Sequence, residues 1–208
     1  MVITFYGENC FKLQSGDLAV LVDPIDSQSG LSTPRFKYDA LIKTLSPFPP
    51  AHDGEEAVVV AGPGEYDFKG AKVFGYPVES ESTDKFLKTV YIATIESLKL
   101  CFLGYLSETP GPSIMEHLEE IDIMFAPAGG SPFMDQQKVA KLIRQVQPKI
   151  VIPTLYKVPG LKRKAEDLKT FLEEAGKGKE KIEAQEKLTI KKKDLANIKP
   201  TQIVTLKI

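Results

Sequence analysis

The sequence predicts a mixed α/β fold in which sheets are covered by helices, and two observations carry that expectation. Short β-prone runs, bounded by turn residues, dominate the first hundred or so positions. After residue 110, apolar runs of strand length alternate with stretches of helical periodicity. With 208 residues, 42% hydrophobic and 26% charged, the chain is long enough for one sizeable core. A single domain over residues 1–208 is therefore expected.

Val2–Tyr6, Phe11–Gln14 and Leu18–Val22 read as strands, the last two joined by a tight turn at Ser15-Gly16-Asp17. Ala57–Ala61 and Ala71–Phe74 read as two more, separated by the turn-rich Gly62-Pro63-Gly64. Val90–Glu96 and Leu98–Leu103 form a natural hairpin. Ser113 and Glu116 have capping-box spacing and predict the start of a short helix. Ile121–Ala126 is continuously apolar, as in a strand buried on both faces. Val139, Leu142, Ile143 and Val146 recur at helical spacing, and Pro148 ends that helix. Ile150–Ile152 is the next buried strand. Leu161, Ala165, Leu168 and Leu172 predict a further helix ending near Gly176. Leu188–Ile190 and Gln202–Ile208 are late strands.

The formal net charge of −1 gives the whole molecule no bias toward nucleic acid. Residues 157–193 are locally basic, with 12 Lys/Arg against 7 Asp/Glu. Phe171 is the sole aromatic after Tyr156, and acidic residues interleave, so the stretch reads as a solvated surface rather than a stacking platform. No apolar run approaches the roughly 20 residues of a membrane span. The N-terminal MVITFYGENC lacks the basic-then-apolar pattern of a signal peptide. Cys10 and Cys101 have no metal-finger spacing, and Cys101 sits in an apolar strand; reduced, inert thiols and a cytoplasmic location are expected.

Three segments in order resemble a known family. Ile3-Thr4-Phe5-Tyr6-Gly7, with Phe11-Lys12-Leu13 and Leu21-Val22-Asp23-Pro24, resembles the opening of metallo-β-lactamase-fold hydrolases. Gly62-Pro63-Gly64-Glu65-Tyr66, with Gly70 and Gly75, is similar to the middle hairpin of the L-ascorbate-6-phosphate lactonase-like subgroup. Ile121–Gly130 and Pro148–Pro153 resemble that subgroup's C-terminal half. The resemblance implies a four-layer αββα sandwich with its site at one edge, between the sheets.

It also implies a bridging hydroxide held by one or two divalent cations, usually zinc, whose charge lowers the pKa of bound water. The ligands would be neutral imidazoles and carboxylates. In the family a strand ends in Thr-His-x-His-x-Asp-His. Here Asp39–Lys43 is followed by Thr44-Leu45-Ser46-Pro47-Phe48-Pro49-Pro50. The Thr is kept, and Leu45, Pro47, Pro49 and Pro50 stand at the ligand positions. Where the family has His-Leu-Gly-Asp, this chain has Phe102-Leu103-Gly104-Tyr105; where a His follows Ile-Pro-x, it has Leu155. His52, beside Asp53, reads as a solvated turn residue, and His117 as a helix-surface residue.

The expected function is accordingly that of a non-catalytic, cofactor-free binding or interaction module on a hydrolase scaffold, without catalytic or metal-binding residues. Two alternatives stay open: a lactone or phosphate-ester hydrolase with a relocated or metal-free site, and nucleic-acid binding through the basic C-terminal third. Asp23, Glu65 and Tyr66 are candidate pocket residues. Phe48, Phe133 and Met134, on proline-stiffened loops, are candidates for an exposed patch facing a protein partner or a second copy.

Overall fold

The structure is a computed structural model that describes residues 1–49 and 56–208. The chain forms β1 (Val2–Phe5), β2 (Phe11–Ser15), β3 (Leu18–Val22), β4 (Ala40–Lys43), β5 (Leu45–Pro47), β6 (Val58–Ala61), β7 (Gly64–Phe68), β8 (Ala71–Pro77), β9 (Phe86–Ile95) and β10 (Leu98–Phe102). Then follow α1 (Pro112–Met115), β11 (Ile123–Pro127), α2 (Gln136–Val146), β12 (Ile150–Thr154), α3 (Leu168–Glu174), β13 (Leu188–Thr189) and β14 (Gln202–Ile203).

Two sheets result. The first has the order β13-β1-β2-β3-β4-β6, and the second β14-β12-β11-β10-β9-β8-β7, with β5 paired to β9. In the first, β3, β4 and β6 run parallel; in the second, β10, β11, β12 and β14 do. β11 and β12 are buried along their whole length, which is why their sequences are uninterrupted apolar runs. The chain leaves the first sheet after β4, and β5 pairs antiparallel with β9, so one covalent crossing ties the sheets together beside Thr44.

The sheets meet through an aromatic row. Phe102 stacks on Phe125 at 4.5 Å between centroids, Phe125 meets Phe11 edge-on at 4.7 Å, and Phe11 stacks on Phe5 at 4.9 Å. Tyr156 continues the row at 5.9 Å from Phe5. Such pairs add about 0.5–1.5 kcal/mol each beyond their buried area. On the outer face of the second sheet, α2 packs against β11 and α3 against α2. The outer face of the first sheet is covered mostly by irregular chain with one 3-10 turn, Ser27–Ser29. There Leu21, Leu41, Cys10 and Ile25 pack with Tyr6, Leu31, Phe36 and Tyr38.

The structure corrects several boundaries. The Ser113–Glu116 capping box is not made; α1 starts at Pro112 after Gly111, without a side-chain cap. The helix expected from Leu161 begins only at Leu168, capped by Asp167, because residues 157–166 run as a strap tied elsewhere. Lys157 N–H donates to the Glu166 carbonyl, Glu166 N–H to Gly129, and Lys162 N–H to Ser29. The last strand keeps two residues, Gln202–Ile203, although Gln185 and Leu206 form an isolated bridge. Among the described residues, no helix is long and apolar enough to cross a membrane.

Phe125 touches both Phe102 and Phe11, so Phe125→Ala should lower the unfolding free energy by about 3–5 kcal/mol. Phe48→Ala, at a side chain 50% exposed, should cost under about 1 kcal/mol. Denaturant titration followed by circular dichroism measures both.

Candidate functional site

The ends of β3, β4, β10 and β12 converge at one edge of the sandwich, where the turn between β1 and β2 also lies. Asp23 follows β3 in a left-handed conformation, φ +40°, and is almost fully buried. Its Oδ1 accepts the Thr44 backbone N–H at 2.7 Å, and its Oδ2 accepts the Thr44 hydroxyl at 2.5 Å and the Asn9 side-chain amide. One carboxyl thus joins the β1–β2 turn, the end of β3 and the crossing after β4. Gly104 closes the arrangement from the second sheet: at φ +62°, a Cβ there would lie 2.4 Å from Thr44 Oγ1, so only glycine fits.

Burial pushes the Asp23 carboxyl up to about 7, outweighing the Thr44 and Asn9 hydrogen bonds that favour its ionised form. Asn9 Oδ1 is buried beside it without a partner. Rotating that amide by half a turn would present this oxygen to a protonated Asp23.

The loop after β10 is fixed by a residue that the sequence reading missed. The Glu81 carboxylate accepts the Ser107 N–H and hydroxyl, the Glu108 N–H and the Lys88 ammonium, at 2.7–2.9 Å. Burial opposes ionisation of Glu81, but Lys88, Ser107 and Glu108 together hold the carboxyl below its ordinary value. This clamp sets Tyr105, half-buried at the edge. Burial raises the Tyr105 phenol well above its ordinary value; Asp23, Glu8 and Cys10 add to the rise, and Arg163 opposes it.

Arg163 is the second missed residue. The sequence reading put it in a solvated basic stretch; here its guanidinium is largely buried in a bidentate pair with Glu8, at 2.7 and 3.2 Å. It also donates to the Leu155 carbonyl at 2.7 Å and lies over the Phe133 ring at 4.9 Å. Phe133 in turn packs on Tyr105 at 5.6 Å. Leu155 is fully buried at φ +61°, and its carbonyl lies so close to Gly129 that a Cβ there would stand 2.0 Å away.

The positions singled out from the sequence separate accordingly. Phe102 joins the aromatic row of the core. Leu45 and Pro47 alternate outward on β5, with Leu45 40% exposed, while Thr44 and Ser46 turn inward. Pro49 is exposed. Pro50, His52 and Asp53 lie outside the described residues. His117 is exposed in the turn after α1, its ring stacked on Tyr76 at 4.4 Å. Glu65 is exposed on β7, and the Tyr66 hydroxyl donates to the Ala61 carbonyl at 2.9 Å, bracing its own hairpin; neither lines the cleft that holds Asp23. The expected exposed patch is also corrected. Met134 is fully buried, its N–H bonded to the Leu106 carbonyl; Phe133 is sandwiched between Tyr105 and Arg163; Phe48 alone of the three is exposed. Burial pushes both the Cys10 and Cys101 thiols up to about 12, consistent with inert packing residues.

A cleft of about 560 Å³ opens at this edge, lined by Asp23, Lys43, Leu45 and Tyr105 with Tyr38 and Leu41. Residues 2–155 match the family model described as a beta-lactamase superfamily domain. The chain belongs to that superfamily. Among solved structures, it is similar to a Thermotoga maritima protein described as a Zn-dependent hydrolase of the metallo-β-lactamase superfamily, at 24% identity and TM-score 0.78 over all of both chains. It is also similar to the metallo hydrolase Igni18 of Ignicoccus hospitalis, at 17% identity and TM-score 0.66, covering 91% of this chain and 99% of that one. The isothiocyanate hydrolase from Delia radicum gut bacteria matches at 10% identity and TM-score 0.62, covering 92% and 99%. At these identities the likeness establishes the metallo-β-lactamase fold. A search of curated proteins gives no match.

The described residues do not fit the zinc that the resemblance implies. Among the described residues, no group of three or more His, Cys, Asp or Glu is placed to bind a metal ion. The carboxylates at this edge have partners within the chain, Asp23 in Thr44 and Asn9, Asp26 in the Gln28 N–H and Glu8 in Arg163.

Two outcomes follow for the site. The raised Asp23 carboxyl adds stability that is complete below about pH 4, where the unfolded chain also holds the proton, and is lost as pH rises through about 7. Between pH 4 and 7.5, wild type should lose on the order of 3 kcal/mol relative to Asp23→Asn, read from paired urea titrations. Arg163→Met leaves the partly buried Glu8 without its partner and should cost about 1–3 kcal/mol, with part restored in the double variant carrying Glu8→Gln.

Proposed function

We propose that this chain is a non-catalytic member of the superfamily, related to the L-ascorbate-6-phosphate lactonase-like subgroup, that works by binding at the edge of the sandwich. The observation that carries this reading is chemical. The positions that would supply imidazole and carboxylate hold Leu45, Pro47, Pro49, Pro50, Phe102, Tyr105 and Leu155, and the guanidinium of Arg163 takes up the Glu8 carboxylate. Without a ligand set there is nothing to lower the pKa of water toward neutrality.

The cleft beside Asp23 supports a recognition role. It offers a cation at Lys43, apolar walls at Leu41 and Leu45, and the Tyr38 and Tyr105 rings. A metal-free hydrolase is the second reading, favoured by the titration of Asp23 near neutrality within that cleft. Against it, both Asp23 oxygens already accept hydrogen bonds from Thr44 or Asn9, which suits a structural tie better than a base.

The test uses purified protein dialysed after exposure to excess zinc and manganese. Elemental analysis should give well under one metal per chain, and lactone, lactam and phosphodiester probes should hydrolyse at background rates with or without added metal. A full equivalent of metal accompanied by metal-dependent turnover would overturn the reading. Metal-independent turnover abolished by Asp23→Asn would favour the second one.

A further inference from the structure

At the C-terminal end of α2, a second cavity gathers positive charge in a way the linear sequence hides. It measures about 570 Å³ and lies where the last turns of α2 and α3 meet the chain leading into β14. Four cationic side chains line it, Arg144, Lys149, Lys177 and Lys199, and no carboxylate does. Only Lys177 belongs to the basic stretch 157–193; the others converge from positions 144, 149 and 199. Its floor is apolar, with Ile143 and Ile198.

Three opposing charges decide whether this is an anion site or a balanced surface. Glu180 pairs with Lys177 at 2.6 Å, removing one positive charge. The C-terminal ends of α2 and α3 each bring up to about half a negative charge. About two positive charges are left over. Lys149 and Lys199 supply them: among the described residues neither has an ion pair or a side-chain hydrogen bond, whereas Arg144 reaches the Glu174 carbonyl at 3.5 Å. In a molecule with formal net charge −1, two unpaired ammonium groups over an apolar floor are a local concentration of charge, not a reflection of the whole.

We propose that this cavity binds a phosphate monoester dianion, its phosphate between Lys149 and Lys199 and its organic part on Ile143 and Ile198. Two ammonium groups lining one cavity match a dianion in charge, and as point charges on flexible stems they accept phosphate without a fixed geometry. The inference is independent of whether the edge site is catalytic.

Phenyl phosphate is the probe, with phenol and inorganic phosphate as comparisons, followed by calorimetry and backbone amide NMR on the whole chain at low salt. Wild type should bind one phenyl phosphate per chain, inorganic phosphate more weakly and phenol not at all. The Lys149→Met/Lys199→Met variant should bind at least about tenfold more weakly, with amide shifts in wild type centred on residues 143–149 and 198–201. The Lys149→Arg/Lys199→Arg variant, which keeps the charge, should retain binding and shows that the loss is not misfolding. Absence of saturable binding, binding unchanged in the methionine variant, or shifts centred on Asp23 and Lys43 would overturn the proposal. So would a single-stranded oligonucleotide that binds the same residues more tightly than phenyl phosphate at equal salt.

Discussion

The carboxyl of Asp23 is the point on which the edge of this molecule depends. It receives the backbone and hydroxyl of Thr44 and the amide of Asn9, so it holds three separate chain segments in one place. Thr44 is where the chain leaves the first sheet for the second, and Gly104 is pressed against it. A tie of this kind works only when dry, and dryness is what raises the carboxyl's affinity for a proton. The same group therefore organises the edge and makes it sensitive to pH.

Around that tie, the edge is built from the ordinary materials of a protein interior. Phe102 lies flat on Phe125 within the inter-sheet row, and Tyr105 and Phe133 pack over the rim. The partly buried carboxylate of Glu8 is balanced by a guanidinium that has two oxygens, a carbonyl and an aromatic face to satisfy it. A lone buried carboxylate would be costly, whereas one paired and fully hydrogen-bonded is tolerated. Satisfaction is incomplete nearby, since Asn9 Oδ1, Ser46 Oγ and Thr154 Oγ1 are buried without partners among the described residues.

Most of the fold was legible because its strands advertise burial. The apolar runs ending at Val22, Leu103, Ala126 and Ile152 all hold strands, and the helix marked by Val139, Leu142, Ile143 and Val146 is present. Periodicity failed where another part of the chain overruled it. Leu161 and Ala165 fit a helix, but their backbone is drawn out by bonds to Ser29 and Gly129. At the edge, residue types alone indicated which positions could not bind a metal. They could not indicate that Leu45 points outward, since that follows from the alternation of β5 along β9. Nor could they pair Arg163 with Glu8 or Glu81 with Ser107, since those contacts link positions far apart and leave no local pattern.

That distance has a consequence for the order of events during synthesis. Glu8 and Arg163 are separated by 155 positions, so the rim cannot close until most of the chain has left the ribosome. The aromatic row needs nothing beyond Phe125 to join its first four rings counted from Phe5. A nascent chain can therefore bring these four rings together while its edge is still open, before the strap at 157–166 and the late strands β13 and β14 arrive.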